Sequence, residues 1–99
     1  MTSNIADGDR EPQDSDLAVR RRRAIWRATH RGTRELDILV GRYAGAFVPA
    51  MTAADLDHFE DFITVAETEL QRWLLSSNAV ADDKFAGLVT SMRRFHGLT

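Results

Sequence analysis

Arg31-Gly32-Thr33-Arg34-Glu35-Leu36-Asp37 gathers two guanidinium groups, two carboxylates and a glycine into one short stretch. Guanidinium forks donate to carboxylates, phosphates and carbonyls, and carboxylates accept from guanidinium or amide N–H, so the stretch can make directional, charge-assisted hydrogen bonds. It offers no activated nucleophile. Burying an unpaired ion costs several kcal/mol, so a corner this charged reads as a surface for a partner. The rest of the chain adds little reactive chemistry. His30, His58 and His96 fall in different segments, and no two have the i, i+4 spacing of a helical metal site. Neither Gly-rich phosphate motif occurs, and the serines of the Ser76-Ser77 turn and Ser91 lack the setting of a nucleophile elbow. Zero cysteines remove disulfides, thiolate ligands and thiol nucleophiles. The expectation is a protein that is not an enzyme and holds no cofactor or metal stably.

The charges are segregated. Residues 1–19 carry −4, residues 20–34 carry +7 and residues 35–99 carry −5, within a total of −2. A concentrated basic block on an otherwise acidic chain suits docking onto an acidic or phosphate surface through that block. At 99 residues the chain has room for one domain and no deep cleft. No apolar run is long enough to span a bilayer and no targeting segment is present, so a cytoplasmic protein without membrane attachment is expected.

The elements that must position the corner are helical. Residues 1–16 are polar and acidic, with Gly8 and Pro12, and read as a disordered tail; residues 17–99 form the folded domain. Asp16 is the expected N-cap of a first helix running to about His30, with Leu17, Ile25 and Trp26 as its apolar contacts. Gly32 supplies the left-handed residue that closes a helix, and Thr33 caps the next at once, so the two pack as a hairpin or at a steep angle. In that second helix Leu36, Leu39, Val40, Tyr43 and Phe47 repeat at i, i+3, i+4, i+7 and i+11. Gly41 and Gly45 inside it mark close approach of another helix or fraying, and Pro49 ends it. Thr52 caps a third helix with an inward stripe of Leu56, Phe59, Phe62, Ile63 and Ala66. A fourth around Glu69–Ser76 presents Leu70, Trp73 and Leu74, with a turn at Ser76-Ser77-Asn78. Asp82 caps a fifth carrying Phe85, Leu88, Val89 and Met92, with Arg93 and Arg94 near its C-terminus. The fold class is therefore all-α, a small five-helix bundle behind an acidic tail. Its stripe aromatics, Phe47 among them, are expected in the core.

The corner, preceded by Trp26, followed by the apolar second helix and joined later by Leu70-x-x-Trp73-Leu74, resembles the SdhE family. These are assembly factors that promote covalent flavinylation of succinate dehydrogenase, and the likeness runs from about Arg21 to Phe95. The resemblance implies a five-helix chaperone that binds the flavoprotein subunit of succinate dehydrogenase, with fumarate reductase as a further client, while FAD is attached covalently to that subunit. It implies partner contacts by Arg31, Gly32 and Glu35, with Arg34 and Asp37 flanking them and Trp26 and Tyr43 as an apolar border. A transient partner of this kind is expected to be monomeric when free. The rival reading is a small basic-faced helical regulator, antitoxin-like, that places Arg20 to Arg23 and Arg27 on nucleic acid or on another acidic partner. Against nucleic acid, the chain beyond residue 34 is acidic and supplies no basic recognition helix.

Overall fold

The computed structural model describes residues 14–76 and 82–98. Among them lie five α-helices and no strand: α1 (Asp14–Thr29), α2 (Arg34–Phe47), α3 (Ala53–Phe62), α4 (Glu67–Leu75) and α5 (Ala86–Phe95). Short 3-10 turns at Val48–Ala50 and Asp83–Phe85 precede α3 and α5. The all-α expectation holds. Residues 1–13 of the expected tail, and Ser77 and Asn78 of the expected turn, lie outside the described residues.

α1 begins at Asp14, two residues before the anticipated cap, so the helix takes in the end of the segment read as tail. Its packing differs from the apolar count. Ala24 and Ala28 are the buried residues, Leu17 and Ile25 pack partly, and Trp26 faces out. The small side chains let α1 lie close against α2, and Gly41 completes the approach: a Cβ built there would sit 2.6 Å from Thr29 Cγ2 and 3.2 Å from Thr29 Cα. Gly45, by contrast, has open space around it. The pair runs antiparallel, since Thr29 meets Gly41 while Arg21, two turns earlier, donates 2.6 Å to the carbonyl of Met51 just past the end of α2.

Thr33 caps α2 by accepting from Leu36 N at 3.3 Å, and Thr52 caps α3 by accepting from Asp55 N at 3.1 Å, both as their hydroxyl chemistry predicts. Buried Leu36, Val40, Tyr43 and Ala44 of α2 meet Leu56, Phe59 and Phe62 of α3, Leu70, Trp73 and Leu74 of α4, and Val89 and Met92 of α5 in one apolar core. Two stripe residues depart from expectation. Ala66 is exposed because α3 has already ended at Phe62 and the chain is turning into α4. Phe47 is 43% exposed: it stands at the C-terminal rim of α2, where the core narrows, with its ring against Tyr43 and Phe95. Asp82 precedes the last 3-10 turn but makes no side-chain cap. Instead α5 is pinned at its far end, where Arg93 donates to the carbonyls of Leu74 (2.5 Å) and Leu98 (2.7 Å) and His96 Nε2 lies 2.7 Å from the carbonyl of Leu39.

Candidate partner-binding site

The corner between α1 and α2 is built by dividing labour among its charges. Gly32 sits at φ +108°, a backbone region that side chains with a Cβ adopt only under strain, and this reverses the chain. The backbone N–H of Arg31 donates to Asp37 Oδ1 at 2.5 Å, so Asp37 closes the loop from the first turn of α2. The Arg31 side chain turns inward. Its Nη1 donates to the carbonyl of Ile63 and its Nη2 to that of Val65 at 3.0 Å. Both acceptors lie just past the end of α3, where helix geometry leaves carbonyls without intrahelical donors, and a guanidinium fork can serve two of them together. Arg31 thereby fastens the corner to the α3–α4 connection.

Glu35 and Arg34 are the outward groups. Both are exposed, and neither side chain forms a hydrogen bond or ion pair with another described residue. Trp26 is 62% exposed and stacks on His30, with ring centroids 4.1 Å apart and planes 13° from parallel; His30 Nδ1 lies 2.7 Å from the Trp26 carbonyl. The indole is thus a fixed plate one turn before the corner. Tyr43 lies elsewhere. It stands nine residues beyond Arg34 on the same helix, roughly 13 Å along the axis. It is buried, with its hydroxyl 3.0 Å from Ser91 Oγ, so it belongs to the α2–α5 packing and does not border this corner. The reason is register: the same periodicity that places Leu36 and Val40 inward carries Tyr43 with them.

One neighbour escaped the reading of the sequence. Glu67, the first residue of α4, brings Oε2 to within 2.9 Å of where a Gly32 Cβ would be. The φ of Gly32 is what requires glycine, since the Glu67 carboxylate ends a flexible side chain that can swing aside. No local pattern around Gly32 announces this neighbour, because the two meet only through the folding of α2 and α3 between them.

The arginine block also separates. Arg20 donates to Asp57 Oδ1 at 2.6 Å and Glu60 Oε1 at 2.7 Å on α3, and these hydrogen bonds, Glu60's first, raise its pKa above the ordinary guanidinium value. Arg21 is committed to Met51. Arg22, Arg23 and Arg27 are exposed and pair with no described residue, which leaves them on the surface that also carries Trp26 and His30. The three histidines do not converge: His30 stacks on Trp26, His58 lies against Phe85 and His96 reaches α2. No helix of the described residues is long and apolar enough to cross a membrane.

Comparison with known proteins gives a consistent result. The model of the family described as flavinator of succinate dehydrogenase matches residues 22–96. The FAD assembly factor SdhE of Acetobacter pasteurianus is 37% identical over 79 residues, covering 80% of this chain and 72% of the relative. That of Xylella fastidiosa is 35% identical over 68 residues, 69% of each chain. A mitochondrial succinate dehydrogenase assembly factor 2 from Komagataella phaffii is 26% identical over 72 residues, 73% of this chain and 36% of that longer one. No solved structure matches significantly.

Proposed function

We propose that this chain, which belongs to the succinate dehydrogenase flavinator family, binds the flavoprotein subunit of succinate dehydrogenase and promotes covalent attachment of FAD to it. The covalent attachment takes place on the client, between the client's own side chain and its flavin. This chain contributes orientation: holding two parts of a client in a reactive relation removes entropy from the barrier without any catalytic group on the holder. The absence of an activated nucleophile in the sequence is in keeping with such a role.

The observation that carries the site assignment is the contrast within the corner. Arg31 and Asp37 direct their hydrogen bonds to the chain itself, whereas the side chains of Glu35 and Arg34 stand exposed beside a glycine, unpaired among the described residues. Glu35 accepts from cationic or amide groups of the client, Arg34 donates to its carboxylates or carbonyls, and Gly32 lets the client backbone come near. Trp26 supplies an apolar plate beside them, and Arg22, Arg23 and Arg27 steer the approach of an acidic client surface. The flavoprotein of fumarate reductase is a second client on the same reading, the free protein is a monomer, and its place is the cytoplasm.

The test is co-expression of the flavoprotein subunit with and without this chain, read by the fluorescence of covalently bound flavin in denaturing gels. Glu35→Ala is expected to lower that signal sharply while leaving thermal stability close to wild type. Full flavinylation supported by Glu35→Ala would refute the site; a signal independent of the chain would refute the function.

A further inference from the structure

A second feature stands at the opposite end of α2 from the corner. A cleft of about 340 Å³ opens between the end of α2, the turn that follows it, α3 and α5. Tyr43, Phe47, Phe59 and Leu88 provide apolar walls, with Met51 at the edge and Asp55 and His58 as the polar groups. The volume lies at the lower end of the range of small-ligand sites and is large enough for one long side chain.

Two properties of the lining point to a cation. The first is the fate of the acids on α3. Asp57 and Glu60 share the guanidinium of Arg20, and Asp61 pairs with Lys84 at 3.0 Å. Asp55 is exposed, and its carboxylate pairs with no cation among the described residues. Only its backbone is engaged, as donor to Thr52. The second is a preorganised aromatic wall. Phe47 is held with its ring 4.6 Å from that of Tyr43 and 5.5 Å from that of Phe95, centroid to centroid, yet 43% of the residue remains exposed at the rim. Aromatic faces attract cations, and a guanidinium can stack on a ring while its edge donates in pairs to a carboxylate.

We propose that this cleft receives an arginine side chain of a protein partner, stacked on Phe47, which Tyr43 backs, and hydrogen-bonded to Asp55. The inference does not depend on the role assigned to the corner, because it concerns different residues and is read by direct binding. A partner engaging both sites would grip α2 at its two ends, and the cleft would set which partner segment is accepted.

The experiment titrates the full chain, isotopically labelled, with N-acetyl-arginine methylamide and follows backbone amide resonances by NMR. The neutral N-acetyl-norleucine methylamide serves as control. Saturable shifts centred on Phe47, Met51, Asp55 and His58 are expected with the arginine probe, and affinity should fall roughly fivefold in Asp55→Asn and in Phe47→Ala, the scale of one exposed charge or cation–π contact. Both positions are exposed and both variants should show wild-type amide dispersion, which the same spectra verify. The proposal is overturned if the arginine probe gives no saturable shift at these residues, if norleucine binds equally well, or if Asp55→Asn binds arginine as wild type does.

Discussion

Replacing Arg31 and replacing Glu35 should have opposite consequences, although the two residues lie four apart in one charged stretch. Arg31→Ala removes two hydrogen bonds from a charged donor to the carbonyls of Ile63 and Val65. Such bonds contribute ~1.5–3 kcal/mol each when buried. The Arg31 side chain is only half-buried, and water can reach part of the vacated space, so a total loss of about 2 kcal/mol is the reasonable figure. For a domain of this size that corresponds to a melting temperature lower by roughly 8–16 °C. Arg31→Lys should fall between, because one ammonium cannot serve both carbonyls in the fork geometry. Glu35→Ala touches no partner; the lost helix-dipole interaction of ~0.3–1 kcal/mol is offset by alanine's helix propensity, and stability should change by less than about 0.5 kcal/mol. Thermal unfolding followed by far-UV circular dichroism gives the midpoints, and covalent flavin on the client, measured well below both, gives function. Arg31→Ala should lose function only in proportion to its unfolding, and Glu35→Ala without unfolding. A wild-type midpoint for Arg31→Ala, or equal destabilisation by both substitutions, would refute the division of roles.

Three further outcomes can be checked. Gly41→Val should destabilise by about 2–3 kcal/mol in chemical denaturation, since its side chain must displace Thr29 and part α1 from α2, whereas Gly45→Ala, with nothing near it, should stabilise by up to ~1 kcal/mol. Tyr43→Phe removes the hydroxyl that meets Ser91 and should cost about 1 kcal/mol while leaving covalent flavin on the client unchanged, as expected of a packing residue away from the corner. Exchanging Arg22, Arg23 and Arg27 for glutamine should leave the melting temperature near wild type but slow association with the client and flatten its dependence on ionic strength, measured by stopped-flow binding at several salt concentrations. An unchanged salt dependence would remove the steering role.

Much of the fold was legible in the chain because helices announce themselves locally. Thr33 and Thr52 are hydroxyls placed before amphipathic runs, and each accepts the amide that capping requires. Gly32 between two helical patterns implied a left-handed residue, and φ is +108° there. Leu36, Val40, Leu70, Trp73 and Met92 could be assigned to the core by period alone, since burial follows one face of a helix. Where the periodicity misled, at Phe47 and Ala66, the side chain stood at an element's end, where the neighbours needed for burial run out.

By itself the sequence determined the helical class, the caps, the position of the charged corner and the likeness to a family of assembly factors, all of which depend on residue types at short spacing. The tertiary structure alone decided what each charge touches. Arg31 and Arg34 are the same residue type three positions apart, yet one fastens the α3–α4 connection and the other pairs with no described residue, and Arg20 and Arg23 differ in the same way. That distinction depends on where the carbonyls at the end of α3 and the acids along α3 come to lie. Those positions are fixed by packing across the whole core, which no local pattern around the corner encodes.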